Sequence, residues 1–242
     1  MSTGTTKLDV VVSDVVPVND LVTRFHFRRR DGGLLPTFSG GAHVVVEMRD
    51  GERTRLNPYS LMGSPLDTRE YTISVRRDDV GRGGSLFMHN QVRPGLEMVV
   101  SYPVNLFSLD LRAKKHLMLA GGIGITPFRS MLQYLIDRKE WRPIVILYAT
   151  ERQQDIAYRD VLGAARQELG IKTIHAVAHG GERGQYPGYI DERLIRLAIP
   201  DYLERTFYIS GPQAMVKALR QKLLAMGVRR SKIKVDYFPG FA

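Results

Sequence analysis

The chain has 242 residues, enough for one large domain or two small ones, and its 43% hydrophobic content supports packed cores. It has no cysteine, which excludes a disulfide and a cysteine-ligated zinc or iron–sulfur centre of its own, so redox chemistry would need a bound organic cofactor or another protein. A formal net charge of +10 favours acidic partners, while basic residues spread without clustered aromatics argue against nucleic acid.

The N-terminus "MSTGTTKLDVVVSD" lacks a basic region followed by a long apolar run, and no later stretch has bilayer length. A cytoplasmic chain without membrane insertion is expected. Short runs rich in β-branched residues come first: "KLDVVVSDVV", "LVTRFHFRRR", "AHVVVEMRD", "EYTISVRRDD" and "EMVVSYPV". The separators "DGG", "SGG", "DGE", "GRGG" and "RPG" predict an antiparallel, barrel-like domain over residues 1–112. The pattern changes near Leu111. From there apolar runs alternate with helical ones, from "KHLMLA" and "TPFRSMLQYLIDRK" to "RTFYIS", "PQAMVKALRQKLLAMG" and "IKVDYF". This predicts a parallel sheet with helices on both faces over residues 113–242, giving a two-domain β plus α/β fold.

The turn "GGIGITP" follows the first strand of that second domain. Gly121, Gly122 and Gly124 allow a sharp bend and close approach of a ligand. Thr126 is placed to cap the next helix, and Pro127 suits its first turn. A helix start at the carboxyl end of the sheet favours an anion such as pyrophosphate. Pro127 stands where the last glycine of G-x-G-x-x-G would fall, so on this motif alone a plain strand-to-helix turn is an equal reading. The six histidines show no metal-ligand spacing, and no metal site is expected.

Four further segments, "NPYSLMGSP", "GRGGSLFMH", "YPVNLF" and "YISGPQAM", stand in fixed order around "GGIGITP". With them the chain resembles the ferredoxin–NADP reductase superfamily, and most closely the reductase part of phthalate-dioxygenase-reductase-like proteins, over nearly its whole length. The resemblance implies a flavin-binding β-barrel and a nicotinamide-dinucleotide-binding α/β domain. Hydride passes from NADH, with NADPH as the alternative, to FMN, with FAD as the alternative. Single electrons then go to a separate acidic ferredoxin or terminal oxygenase component, since the chain stops at Ala242 without the four cysteines of a ferredoxin domain. The competing readings are a free-flavin or quinone reductase, and an electron-transfer subunit without its own nucleotide turnover.

By position, the resemblance sets Tyr59 at the isoalloxazine and Ser60 near its N5, with Leu61 among the cofactor-binding residues; "GRGGS" reads as the start of a short helix, and the resemblance sets Gly83, Gly84 and Ser85 around the flavin phosphate, with His89 close by. The family's usual phosphate-binding arginine is replaced by Asn57, which brings no charge. Arg55, and beyond it Arg53, share its strand face, so Arg55 is the candidate substitute; the plainer reading is a pair of solvated edge arginines. The resemblance also sets Thr126 beside the nicotinamide and the amides of Gly122 to Ile125 at the pyrophosphate. Ser210, in the place of a usual cysteine, precedes Gly211 and Pro212 near the nicotinamide. Glu151 and Arg152 flank the adenosine ribose, where a carboxylate favours NADH and a cation NADPH. Asp236 and Phe238 match an acidic and an aromatic residue near the flavin, and "PGFA" either folds over the ring or frays. Ser60, Thr126, Ser210 and Phe238 are thus the residues expected nearest the chemistry.

Overall fold

The structure is a computed structural model that describes residues 7–80 and 83–238. Gly81, Arg82 and the "PGFA" tail lie outside the described residues. The chain divides into two compact units, the first reaching to Ser108 and the second beginning at Leu109.

In the first unit, strands β1 (Lys7–Pro17), β2 (Val22–Arg29), β3 (His43–Asp50), β4 (Arg53–Ser60), β5 (Tyr71–Arg76) and β6 (Glu97–Ser101) form an antiparallel sheet in the order β4-β3-β6-β1-β2-β5. Beyond β4, Leu61 bridges Ile73 of β5 and the Met62 amide donates to Thr72 O at 2.9 Å, so the outer strands meet and the sheet curls into a barrel. The alternation of each strand sends one row inward: Leu8, Val10 and Val12 from β1, and Val44, Val46 and Met48 from β3. Each such side chain contributes roughly 1.5–3 kcal/mol on burial. Helix α1 (Gly84–Gln91) follows β5, as the "GRGGSLFMH" segment predicts.

The second unit contains β7 (His116–Gly121), α2 (Thr126–Asp137), β8 (Ile144–Arg152), α3 (Arg159–Leu169), β9 (Lys172–His179), β10 (Tyr186–Pro187), α4 (Glu192–Ala198), β11 (Thr206–Pro212), α5 (Gln213–Ala225) and β12 (Ile233–Phe238). Its sheet is parallel, in the order β10-β9-β8-β7-β11-β12. The chain winds outward from β7 to β10, then returns to lay β11 and β12 on the other side of β7. The carboxyl ends of β7 and β11 therefore flank the point where strand order reverses, the usual ligand crevice of such sheets. Leu117 and Leu119 of β7 pack with Leu194 and Ile195 of α4 and with Leu219 and Leu223 of α5. Met118 and Ala120 point to the opposite face by alternation and are also fully buried, so both faces are covered.

The change of pattern in the sequence falls a few residues after the change of unit. The Asp110 amide donates to the Tyr208 hydroxyl at 2.8 Å and Arg142 donates to Leu111 O at 2.8 Å, which binds this polar stretch to the second unit although it contains no strand.

His116 opens β7 with no exposed surface, and burial lowers its pKa to about 4. The unfolded chain takes up this proton near the ordinary imidazole value of 6.5 and the folded chain does not, so the stability it confers is full above 6.5 and is lost as pH falls through 4. Replacing His116 with Leu is expected to remove up to about 3 kcal/mol of acid sensitivity, read as a flatter dependence of Tm on pH between those limits.

Candidate functional site

In the second unit the site is built where two chain turns meet. β7 ends at Gly121 and passes through a 3-10 turn, Gly122–Ile125, into α2. A Cβ on Gly124 would stand 2.5 Å from the Ser210 carbonyl carbon and 2.6 Å from Gly211 Cα, and one on Gly121 would stand 2.8 Å from Met215 Cε. On the facing strand, a Cβ on Gly211 would stand 3.1 Å from Gly121 O. The backbone contact makes Gly124 indispensable to the meeting of the two turns, whereas at Gly121 and Gly211 the nearest atom belongs to the flexible Met215 side chain. Gly122 differs: its φ of 52° is left-handed, and a Cβ there would meet nothing within 4 Å, so this glycine serves the bend and leaves open space.

Thr126 does not cap α2. It has helical backbone (φ −56°, ψ −50°), and its hydroxyl donates to Ile123 O at 2.7 Å. The 3-10 turn runs directly into the helix, so the cap position falls on Ile125, which lacks a side-chain cap and is fully buried. Pro127 does occupy the first helical turn, where no amide hydrogen is needed.

Behind Thr126 stands Tyr158, which no motif or local pattern marks. It precedes α3 with φ 56° and ψ 39°, a left-handed conformation in a bulky residue that is 3% exposed. Such backbone costs about 1–3 kcal/mol and persists only where surroundings enforce it. The Tyr158 hydroxyl lies 3.3 Å from Thr126 Oγ1, and the Arg129 guanidinium lies 5.5 Å from its ring centroid.

Ser210 is fully buried and pairs in register with Asp236 on β12, with Ser210 Oγ 3.5 Å from Asp236 Oδ2. Burial raises the Asp236 carboxyl to about 6, the hydroxyl of Ser210 pulling the other way. Phe238 pairs in register with Pro212 at the end of β12. The structure thus brings Gly121, Gly124, Thr126, Ser210, Gly211 and Asp236 to the carboxyl ends of three neighbouring strands.

At the end of β8, the Tyr189 hydroxyl donates to both Glu151 oxygens at 3.1 and 3.2 Å, and His179 Nε2 lies 3.9 Å from Glu151 Oε2. Arg152 follows Glu151 at the end of β8, and its backbone amide donates to Asp155 Oδ2 at 3.0 Å. His179 and Tyr189 join the sequence-predicted Glu151 only because β9 and the loop after β10 end beside β8.

In the first unit, β4 carries Arg55, Asn57 and Tyr59 at alternate positions, and its first two members reach α1. A Cβ at Gly83, whose φ of 84° is left-handed, would lie 3.7 Å from the Arg55 guanidinium carbon. One at Gly84 would lie 3.0 Å from Asn57 Cγ. Arg53 is exposed one step further out. Ser85 Oγ accepts from the Asp78 amide at 3.1 Å and donates to Asp78 O at 3.2 Å, closing the loop between β5 and α1. His89 is not at this end of α1: it lies in the last turn, bonded to Val75 O at 3.0 Å, because it stands five residues after Gly84. Burial pushes the Tyr59 phenol up to about 12, with Asn57 opposing. Ser60 is 5% exposed, and the Leu61 side chain is spent in the barrel core while its amide donates to Ala42 O at 2.8 Å. Among the described residues no group of three acidic, His or Cys side chains is suited to a metal, and no helix is long and apolar enough to cross a membrane.

The raised Asp236 carboxyl has a measurable consequence. Its neutral form is favoured by folding, so the contribution is full below the ordinary carboxyl value of 3.8 and is lost as pH rises through about 6. Asp236→Asn is expected to be more stable than the parent by about 2 kcal/mol at pH 8, with the difference vanishing near pH 4, as followed by denaturant unfolding.

Comparison with known proteins gives this geometry a family. The oxidoreductase NAD-binding domain family matches residues 118–221. The carnitine monooxygenase reductase subunit of Escherichia coli (strain K12) is 36% identical over 231 residues, which cover 95% of this chain and 68% of that protein. Across similar curated relatives the chain spans about two thirds of their length, at 61% and 70%. Phthalate dioxygenase reductase, a modular structure for electron transfer from pyridine nucleotides to [2Fe-2S], superposes with a TM-score of 0.78 at 26% identity, over 96% of this chain and 68% of that one. The flavohem-like FAD/NAD binding domain of nitric oxide dioxygenase from Vibrio cholerae O1 biovar El Tor has the same fold, with a TM-score of 0.84 at 24% identity over 96% of this chain and 98% of that one. The chain belongs to the ferredoxin-reductase-like oxidoreductases, among the reductase subunits of oxygenase systems.

Proposed function

We propose that the chain is a cytoplasmic flavin-dependent oxidoreductase that takes hydride from NADH and delivers single electrons to a separate ferredoxin or terminal oxygenase component. The observation that carries this reading is the meeting of Gly121–Gly124 with Ser210–Gly211 at the point where strand order reverses, which leaves open space at the left-handed Gly122. When bound, the flavin supplies the conversion of a two-electron hydride donor into one-electron output.

The chain's own residues divide the remaining work. In the second unit, the amides of Gly122 to Ile125 and the start of α2 bind pyrophosphate, with Thr126, Pro127, Gly211 and Pro212 enclosing the nicotinamide end. Asp236 holds a proton up to about pH 6 beside Ser210 Oγ, within the crevice. Glu151, oriented by Tyr189, accepts from ribose hydroxyls and repels a 2′-phosphate, which supports NADH over NADPH.

In the first unit, Gly83, Gly84 and Ser85 with Arg55 hold the flavin phosphate, and Tyr59 and Ser60 lie toward the ring system. The fit rests on two features: Gly84, where a side chain would collide with Asn57, and the Arg55 guanidinium beside Gly83. FMN is the flavin expected here, with FAD as the alternative. Positive charge favours an acidic partner, and it is unevenly spread. The first unit has 13 Lys and Arg against 12 Asp and Glu, the second 22 against 13, and residues 205–235 hold eight basic and no acidic residues.

The test is stopped-flow mixing of the flavin-loaded protein with NADH or NADPH, followed by addition of an acidic [2Fe-2S] ferredoxin. Flavin bleaching is expected with NADH ahead of NADPH, and reoxidation by the ferredoxin should slow as salt rises. Absence of bleaching with either nucleotide would overturn the proposal. Arg55→Ala is expected to weaken FMN binding by about 10- to 100-fold in fluorescence titration, the range for a lost charged hydrogen bond. Unchanged affinity would return Arg55 to the solvent.

A further inference from the structure

Among the described residues, three polar atoms on β8 and β9 are buried without a hydrogen-bond partner: Thr173 Oγ1, His175 Nδ1 and Thr150 Oγ1. Thr173 and His175 stand in register with Ile146 and Tyr148, further back toward the amino ends of the strands. Thr150 differs in place and in burial. It lies near the carboxyl end of β8 and is 4% exposed, so its hydroxyl has been taken out of water with nothing in the fold to replace it. A buried hydroxyl in that state is unfavourable, and an apolar side chain of the same shape would be the more stable choice.

The neighbouring strands show what this hydroxyl borders. β7 and β8 pair in parallel as far as Gly121 and Ala149. One residue further, β7 turns away through Gly122, whose φ is 52° and on which a Cβ would meet nothing within 4 Å. β8 runs straight on, still paired with β9 through Thr150 and Val177 and through Arg152 and His179. Thr150 is therefore the first residue of β8 without a β7 neighbour, and it stands level with the glycine that leaves open space. Ala149 packs in the core with residues of α4 and α5. Alternation turns Thr150 to the opposite face, where the Tyr148 hydroxyl accepts from the Ala157 amide and Thr126 of α2 meets Tyr158. Along β8 it directly precedes Glu151.

We propose that Thr150 is a dinucleotide-binding residue whose hydroxyl donates to a pyrophosphate oxygen of the nucleotide held at the Gly122–Ile125 turn. The hydroxyl carries one hydrogen that finds no acceptor among the described residues, and an ionised phosphate oxygen only accepts, so each supplies what the other lacks. This rests on the reading that a pyridine nucleotide occupies that turn with its ribose at Glu151, and it names the residue of β8 that joins those two contacts.

The test uses Thr150→Val, which keeps the shape of the side chain and removes the hydroxyl. Without nucleotide its Tm is expected to rise by about 2–4 °C, because an orphaned polar group leaves the interior. Its Kd for NADH and for ADP-ribose, which share the pyrophosphate, should rise by the same factor of about ten. Thr150→Ser keeps the hydroxyl and should bind both ligands within about threefold of the parent. A variant that is more stable yet binds more weakly separates this role from a merely structural one, whose loss would lower the Tm. Unchanged affinity in Thr150→Val would sink the assignment, as would a fall in its Tm or an equal loss in Thr150→Ser. A loss confined to NADH would also sink it, since the contact would then lie at the nicotinamide end. If the parent protein binds neither ligand, the underlying nucleotide reading fails instead.

Discussion

The backbone of Gly124 approaches that of Ser210 and Gly211 so closely that no side chain fits between them, and the candidate site of the second unit depends on that contact. It brings the end of β7 and the end of β11 together across the reversal of strand order. The first turn of α2 is thereby fixed relative to β11, and β12 sets Asp236 behind Ser210 in register. Were either glycine replaced, the turn would have to retreat, and the amides of the 3-10 turn would lose their aim before any ligand contact was altered. The glycines therefore act first on protein geometry and only through it on a ligand, with Gly122 as the exception.

A similar logic governs the first unit, with charge in place of close approach. β4 lies at the edge of the sheet, where Pro58 costs no ladder bond on its open side, and its alternate residues face the start of α1. Asn57 is wedged against Gly84, a position where a longer guanidinium would have to bend away. Arg55, two residues earlier on the same face, reaches Gly83 instead.

How much of this was legible in the sequence follows from the range of the interactions. Strand alternation, turn glycines and helical runs are local signals, so the barrel, the parallel sheet and the short helix after "GRGG" could be read from residues alone. Family resemblance then supplied roles that spacing could not. What stayed hidden was set by tertiary contact. The boundary moved because Asp110 and Leu111 bond to the second unit without any strand pattern, and the two-residue β10 is too short to carry a period. Thr126 was misread as a cap because a 3-10 turn extends the helix upstream. Tyr158, His179 and Tyr189 belong to the site only through elements remote in sequence, and no local rule marks a tyrosine for left-handed backbone.

The distribution of strain and buried polarity argues that the carboxyl end of the parallel sheet is where this fold has given up stability. A bulky left-handed residue, a carboxyl raised by burial and a glycine contact closer than any side chain allows all fall there. At the other end, His116 is buried, yet the charges around it are settled: Lys115 bonds Asp201 and Glu204, and Arg205 bonds Asp201, lowering the latter to about 2. Ion pairs at the amino end, and backbone strain with a carboxyl raised by burial at the carboxyl end, are expected of a sheet that packs with its amino ends and works with its carboxyl ends.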